Sequence, residues 1–323
     1  MPLIARSTYV PPFGFGNGHV QTIFPALWRR VPLITRERER ITTPDGDFLD
    51  LDWDAGNRAS RLVILSHGLE SDSRNPDVQG MAAAFRRAGW DVLAWNLRGC
   101  GGEANRLLRS YHSGATEDLE AVIGHALATG RYQRVALVGF SLGGNMTLKY
   151  LGDLAGAVDA RIAGAVAFSV PCDLASSSLQ LEKMINRIYM RRFLIQLRRK
   201  IREKILRFPG ELGEEGLDAM RTFREFDGAY TAPLHGFRSA EDYWERASSR
   251  PVLSRIAAPA LLVNARNDPF LAPPCFPEEE ARGSSFFHLE IPRSGGHAGF
   301  VSFNARNEYW SESRAVEFLE GLE

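Results

Sequence analysis

One serine flanked by glycines constrains this chain more than any other feature. Residues 137–144 read Leu-Val-Gly-Phe-Ser-Leu-Gly-Gly, so Gly139 and Gly143 lie two positions before and after Ser141. This G-x-S-x-G pattern is typical of a sharp strand-to-helix turn that raises one serine oxygen at the edge of a sheet. Side chains at the glycine positions would collide with so tight a turn, and the serine backbone is strained there. The pattern therefore predicts Ser141 as a nucleophile.

The residues on both sides of Ser141 fit such a turn. Residues 134–140 form a short apolar run suited to a buried parallel strand. Residues 145–151 are suited to a helix. A five-residue pattern alone is weak, and its strand–turn–helix context makes the prediction specific.

Strand and helix patterns alternate along most of the chain. The turn sequence at 43–47 joins residues 36–42 and 48–53 as a predicted β-hairpin. Further strands are predicted at 61–66, 91–96, 134–140, 162–170, 259–265 and 286–291. Helices are predicted at 77–88, 116–128, directly after Ser141, and at 304–322. The alternation predicts an α/β fold with a mostly parallel sheet flanked by helices.

Two segments interrupt this alternation. Residues 1–34 contain five prolines, and we predict an irregular N-terminal extension. Residues 173–250 have helical patterns without strand signals. We interpret them as a helical cap inserted over the carboxyl ends of the strands, where open α/β sheets bind ligands. The predicted core then comprises residues 1–172 and 251–323.

Composition argues against several classes of protein. The chain has 39 Lys and Arg against 39 Asp and Glu, so no nucleic-acid partner is predicted. Cys100, Cys172 and Cys275 are widely spaced and indicate reduced thiols, not a disulfide framework or a zinc site. The N-terminus lacks the pattern of a secretory signal, and no uncharged apolar run reaches the ~18 residues that span a bilayer. We expect a cytoplasmic protein.

A serine nucleophile needs a base, and the base needs a carboxylate to orient it. In this type of fold the expected chain order is Ser, then Asp or Glu, then His. Asp268 follows the predicted strand 259–265, and His297 lies in a glycine-flanked loop after the next strand. We therefore predict a catalytic set of Ser141, Asp268 and His297. Asp173, shortly after the strand 162–170, is the alternative acid.

Acyl transfer also requires donors for the negative charge that develops on the substrate oxygen. The backbone N–H of Leu142, directly after the nucleophile, is one predicted donor. The second is the N–H of Leu69, in the loop after strand 61–66, where Gly68 allows the backbone to come close. His67 in the same loop is expected to be structural and not a second base.

Several other motifs are more specific than the serine pattern, and together they cover nearly the whole chain. They are Gly-His-Val-Gln-Thr-Ile at 18–23, Asn-Leu-Arg-Gly-Cys-Gly-Gly at 96–102, Ser-Tyr-His-Ser-Gly at 110–114, Arg-Glu-Phe-Asp at 224–227 and Asn-Asp-Pro-Phe at 267–270. With them the chain resembles the YheT-like branch of the α/β-hydrolase fold, which is related to animal ABHD esterases and phospholipases and to fungal medium-chain ethanol acyltransferases. The resemblance implies carboxylic-ester hydrolysis or acyl transfer.

Four residues of these motifs have no catalytic role that follows from the chemistry. They are Arg98, Tyr111, His112 and Asp227. We expect them to fix loops around the pocket or to tie the cap to the core.

The predicted cap carries a concentrated positive charge. Residues 183–207 hold ten Lys or Arg and one acid, Glu203, a local net charge of +9. Apolar residues recur there every three or four positions, as in an amphipathic helix. We favour a solvated cap face that docks on the core by its apolar stripe. The alternative is peripheral contact with an anionic membrane.

These observations predict a serine carboxylic-ester hydrolase that acts on short- to medium-chain acyl esters through an acyl-enzyme. Its partner would be a small acyl ester or a lipid, and no metal or organic cofactor is expected. One alternative is an acyltransferase, in which an alcohol replaces water in the second step. Another is a catalytically silent binding protein of the same fold. The sequence gives no prediction of oligomeric state.

Overall fold

The computed structural model describes residues 2–32, 37–56 and 59–322. Among these residues nine strands form one sheet in the order β1-β9-β8-β7-β6-β4-β5-β3-β2. The strands are β1 (Leu3–Ile4), β2 (Glu37–Thr42), β3 (Phe48–Asp54), β4 (Arg61–Ser66), β5 (Asp91–Asn96), β6 (Arg134–Phe140), β7 (Ile162–Phe168), β8 (Ala260–Val263) and β9 (Phe287–Glu290). Pairing is antiparallel for β2–β3 and β3–β5 and parallel elsewhere, so the predicted mostly parallel α/β sheet is confirmed.

Helices cover both faces of this sheet. The helices are α1 (Gly18–Trp28), α2 (Pro76–Arg87), α3 (Thr116–Ala128), α4 (Leu142–Leu154), α5 (Leu174–Glu182), α6 (Arg187–Arg207), α7 (Phe223–Phe226), α8 (Ala232–Leu234), α9 (Ala240–Ala247), α10 (Glu278–Arg282) and α11 (Trp310–Glu320). A π-helical turn, Asp227–Thr231, joins α7 to α8. Among the described residues, no helix combines the length and apolar character needed to cross a bilayer.

The central strands are apolar throughout because both of their faces are buried. Successive side chains of a strand point to opposite faces. In β6, Val135 and Leu137 therefore join the core under α3 and α4, whereas Ala136 and Val138 join the core under α2 and α11. This packing fixes the end of β6, where Ser141 begins the turn into α4.

The strands and most helices of the core agree with the sequence prediction, but several bounds differ, among them those of β7, β8 and the last helix. Strand β7 ends at Phe168, two residues before the predicted end. The last helix begins at Trp310 and not at 304. The Asn304 side chain accepts the N–H groups of Arg306 and Glu308 and holds a turn there. Helix α11 starts after this turn, where the Glu312 carboxylate accepts the Tyr309 N–H.

Within the described residues 2–32, the predicted irregular extension at 1–34 is wrong for one short strand and one helix. Strand β1 pairs with β9, and helix α1 spans residues 18–28. The Asn17 side chain caps α1 by accepting the N–H groups of His19 and Val20. Pro25 lies inside α1 and removes one backbone donor without ending the helix. A proline at this position is therefore no evidence for irregular structure.

The chain between β7 and β8 is helical, and all of its residues are described. Its apolar side chains Met190, Leu194 and Ile201 on α6 are buried in one cluster with Phe226 and with Phe270 of the core. The apolar stripe of α6 thus packs inward, as expected for a cap helix. The boundaries of a cap at 173–250 stay a prediction.

Arg98 lies buried beneath the β-hairpin and α3, surrounded by carboxylates. Its guanidinium donates to Asp118 over 2.6 Å, to Asp45 over 2.8 Å and to Asp47 over 3.2 Å. Asp118 and Asp47 are themselves buried. The structural role expected for Arg98 follows from these ion pairs, which join the hairpin to the loop after β5.

Arg98→Met tests this role. The variant leaves buried carboxylates without their cation, so we expect the free energy of unfolding to fall by about 3–5 kcal/mol in urea denaturation. Arg199→Met is the matched control, since Arg199 is exposed and its ion pair with Glu203 lies at the surface. Equal stability of the two variants would contradict the role.

Candidate active site

Ser141 occupies a strained turn between β6 and α4. Its φ of 52° and ψ of −117° are rarely adopted by a residue with a side chain. A Cβ added to Gly139 would lie 2.5 Å from the Gly143 carbonyl oxygen, and one added to Gly143 would collide with the carbonyls of Ser66 and His67. The two glycines are therefore required where the sequence pattern placed them.

The structure brings Ser141, His297 and Asp268 into one chain of contacts. Ser141 Oγ lies 3.0 Å from His297 Nε2. His297 Nδ1 lies 2.9 Å from Asp268 Oδ2 and 3.2 Å from Oδ1. The three residues follow β6, β9 and β8, whose carboxyl ends meet at one edge of the sheet. In this arrangement the imidazole can accept the serine proton while the carboxylate faces its other nitrogen.

Phe270 helps to fix both partners of the serine. Its backbone N–H donates to Asp268 Oδ1 over 2.8 Å. Its ring stacks on the His297 imidazole with centroids 4.0 Å apart and an interplanar angle of 28°. The motif at 267–270 therefore supplies both a carboxylate and a wall that limits rotation of the imidazole.

Asp173, the alternative acid, caps a helix and does not contact His297. Its side chain accepts the Ser176 N–H over 2.9 Å and caps helix α5. The carboxylate that contacts His297 is that of Asp268.

Helix α1 holds the loop that carries His297, a contribution that sequence reasoning missed. The His297 N–H donates to Thr22 Oγ1 over 2.9 Å. Gln21 is buried and donates to Ser294 Oγ over 2.7 Å. On the opposite side of the loop, the Ala298 N–H donates to Ser169 Oγ over 2.7 Å. The motif at 18–23 was the available signal, but nothing in it indicated the loop at 294–300 as its partner.

Both predicted oxyanion donors lie beside Ser141. Leu69 and Leu142 line the cavity into which Ser141 opens. Leu142 is the first residue of α4, where backbone N–H groups have no acceptor within the helix. A Cβ added to Gly68 would lie 3.3 Å from Ser141 Cβ, so the loop comes as close to the serine as predicted. Their role as oxyanion donors stays a prediction.

Glu70 anchors the loop that carries Leu69. Its backbone has a φ of 50°, and its N–H donates to Tyr111 OH over 3.0 Å. The Tyr111 hydroxyl donates in turn to Glu70 Oε1 over 2.6 Å, and Lys200 Nζ of α6 lies 2.9 Å from the same oxygen. The loop beside the serine is therefore tied to the helical segment through one carboxylate.

His67 is structural, as expected. Burial lowers the pKa of its imidazole to about 4, so the ring is neutral at pH 7. Its Nε2 accepts the Leu97 N–H over 3.1 Å, which leaves Nδ1 to donate to the Gly68 carbonyl over 2.8 Å. With both nitrogens engaged, this ring holds two loops together.

The remaining motif residues join elements around the cavity. Asp227 accepts hydrogen bonds from Trp244 Nε1 over 2.8 Å and Thr231 Oγ1 over 2.7 Å. Burial nevertheless raises the pKa of Asp227 to about 6. The His112 ring meets His235 edge to face, with centroids 4.7 Å apart. The expected structural roles therefore fit the observed contacts.

The cavity above Ser141 has mostly apolar walls. These walls come mainly from the helical segment after β7, through Leu174, Leu181, Phe193, Leu197, Ile201, Phe223, Phe226 and Leu234. Within the described ranges, no group of three or more His, Cys, Asp or Glu side chains is arranged to hold a metal ion. Such a cavity fits an apolar chain whose reactive group lies at Ser141.

Fold and site together define a protein of the α/β-hydrolase class, and comparison with known proteins identifies the family. Residues 61–274 match the family model described as alpha/beta hydrolase fold. YheT of Escherichia coli (strain K12), whose name assigns it an esterase activity, is 36% identical over 329 residues, which cover 98% of this chain and 94% of YheT. The chain therefore belongs to the α/β-hydrolase fold family, and the predicted resemblance to YheT is confirmed.

More distant proteins agree with this assignment. Phospholipase ABHD3 of Homo sapiens is 28% identical over 309 residues, which cover 92% of this chain and 75% of that protein. Among solved structures, the Pyrococcus furiosus esterase Pf2001 superposes with a TM-score of 0.59 at 18% identity, over 88% of this chain and 91% of the esterase. At that identity the likeness supports the fold alone.

Proposed function

We propose that this chain is a serine carboxylic-ester hydrolase, with Ser141 as nucleophile, His297 as general base and Asp268 as the carboxylate that orients it. One observation carries the proposal: the unbroken contact from Ser141 Oγ through His297 to Asp268, with 3.0 Å and 2.9 Å between the bonded atoms. A neutral serine hydroxyl is a weak nucleophile, and a positioned imidazole removes that limit.

The first half of the reaction forms an acyl-enzyme. His297 Nε2 accepts the Ser141 proton while Oγ attacks the ester carbonyl carbon. The N–H groups of Leu69 and Leu142 stabilise the negative charge on the carbonyl oxygen. The imidazolium, stabilised by Asp268, then donates its proton to the alkoxide oxygen, the ester C–O bond breaks and the alcohol leaves.

The second half returns the enzyme to its starting state. A water molecule transfers a proton to His297 Nε2 and attacks the acyl carbon of the Ser141 ester. The bond between the acyl carbon and Ser141 Oγ breaks, Oγ takes the proton back from His297, and the carboxylic acid leaves. Water is the only co-reactant.

The apolar cavity supports short- to medium-chain acyl esters as the substrate class. Each methylene that leaves water contributes about 0.8 kcal/mol, or roughly a fourfold change in kcat/KM. Relatives named as a phospholipase and a monoacylglycerol lipase are consistent with esters of glycerolipids. The acyl chain would lie against the walls formed by α5, α6 and α7.

A panel of p-nitrophenyl esters from acetate to palmitate tests the proposal. We expect kcat/KM to rise from acetate to a medium-chain ester and to fall for palmitate, because the cavity fills. Ser141→Ala should lose at least about a thousandfold in kcat on every ester, since it removes the proposed nucleophile.

Ser178→Ala is the matched control for this panel. Ser178 also lines the cavity, but its hydroxyl makes no hydrogen bond to the described residues, so its removal should leave kcat within a fewfold. Turnover by Ser141→Ala at the wild-type rate would refute the assignment of Ser141 as the nucleophile. With an alcohol added, a new ester in place of the free acid would reassign the second step to acyl transfer.

Thr22→Val tests the support of His297 by helix α1. The substitution keeps the side-chain volume but removes the acceptor of the His297 N–H. We expect kcat to fall about tenfold with a smaller change in KM, because the base is less well positioned. Thr22→Ser, which keeps the hydroxyl, should restore the rate. Equal kcat for Thr22→Val and wild type would show that the loop needs no such anchor.

A further inference from the structure

Helix α6 and the turn before it expose a face that the fold does not use. We define the outer α6 face as Lys183, Met184, Ile185, Arg187, Ile188, Arg191, Arg192 and Ile195. Its four apolar side chains are exposed: Met184 is 83% exposed, Ile185 and Ile188 are each 68% exposed, and Ile195 is 54% exposed. Ile188 and Ile195 are seven residues apart and lie on one side of α6, and Met184 and Ile185 precede Ile188 by four and three residues in the turn before the helix. We call these four side chains the aliphatic stripe.

Packing of the cap does not account for this stripe, because α6 has a second apolar side. Met190, Leu194 and Ile201 are buried against Phe226 and Phe270. Phe193 and Leu197 line the active-site cavity. The inward side thus satisfies the requirement for a core, and the outward apolar side chains remain in water. A concentrated exposed apolar patch of this kind marks an interaction surface.

The cations of α6 and of the turn before it also fall into two groups. Toward its carboxyl end they are used within the chain: Lys200 pairs with Glu70, and Arg202 pairs with Glu214 and Asp218. Lys204 and Arg207 donate to backbone carbonyls of residues 104–107.

On the outer α6 face the cations have no carboxylate partner. Among the described residues no acid lies within ion-pair distance of Arg187, Arg191 or Arg192, and Lys183 donates only to the Gln180 amide. Glu182 is the one acid between positions 179 and 199. The face therefore combines exposed aliphatic side chains with an unneutralised positive charge.

The neighbouring helix adds further exposed apolar residues. Helix α1 contacts α6 where His19 Nδ1 lies 3.0 Å from Tyr189 OH. On α1, Val20, Leu27 and Trp28 are exposed. An exposed tryptophan such as Trp28 favours the boundary between lipid headgroups and acyl chains.

We propose that the outer α6 face docks onto an anionic phospholipid membrane surface. The aliphatic stripe would enter the acyl boundary while the cations contact headgroup phosphates. A second copy of the chain fits less well, because a two-fold contact would place the four cations against the same four cations. Docking would bring lipid esters to the cavity, and this consequence rests on the function proposed above. The docking itself does not depend on that function.

Flotation with vesicles tests the docking. The full chain should float with vesicles of phosphatidylcholine and phosphatidylglycerol at low salt, lose most binding at about 0.5 M salt, and bind pure phosphatidylcholine weakly. Ile185→Ser with Ile188→Ser should reduce the bound fraction at least about fivefold, as should Arg187→Gln with Arg191→Gln and Arg192→Gln.

Matched controls carry the same chemical changes elsewhere on the surface. Phe286→Ser removes an apolar group that is exposed directly before β9, and Arg74→Gln with Arg255→Gln and Arg282→Gln removes three exposed cations. These controls should float like wild type. All face variants should hydrolyse a water-soluble p-nitrophenyl ester at the wild-type rate, which excludes misfolding.

The outcomes separate docking from catalysis. Ser141→Ala should float like wild type, so a failed esterase assay would leave the docking result intact. Absence of flotation with anionic vesicles at low salt would overturn the proposal. Equal losses in face variants and controls would also overturn it. So would a wild-type dimer in solution that Ile185→Ser with Ile188→Ser converts to monomer, because a second copy would then cover the face.

Discussion

The strained turn at Ser141 is the constraint on which the rest of the site depends. A residue at φ 52° keeps that conformation only when its surroundings leave no alternative. Here β6 is paired on both sides, by β4 and β7, and the Ser141 N–H donates to the Phe168 carbonyl over 2.9 Å. Helix α4 begins at the next residue, so the serine hydroxyl, the free N–H groups of the helix and the end of the sheet come together at one point.

The base at His297 depends on a second, more distant set of contacts. Strand β9 determines where along the sheet edge the loop begins, but helix α1 determines how the loop is held, through Thr22 and Gln21. On the other side of the serine, Tyr111 and Lys200 hold Glu70 next to Leu69. The catalytic groups thus lie at the ends of buried strands, and their supports come from segments outside the sheet.

This division explains which parts were predictable from the sequence. Buried parallel strands appear in the sequence as apolar runs. Helix α3, Thr116–Ala128, was predicted with its observed bounds because acidic residues occupy its first turn. The proximity of Asp268 and His297 to Ser141 followed from their position after strand ends. Helix α1 was missed because the prolines of 1–34 were taken as evidence against regular structure, although Pro25 lies within the helix and Asn17 caps it. The Thr22–His297 contact joins residues 275 positions apart, and no local pattern encodes such a partner.

Activation of the Ser141 hydroxyl by His297 is the step on which the proposed chemistry depends. Labelling with a fluorophosphonate probe, followed by mass spectrometry of the modified peptide, tests this without any assumption about the substrate. We expect one modified residue, Ser141, in the folded wild-type protein, and a labelling rate at least about a hundredfold lower in His297→Ala. Modification of a different residue, or an equal rate in the absence of the imidazole, would contradict the claim.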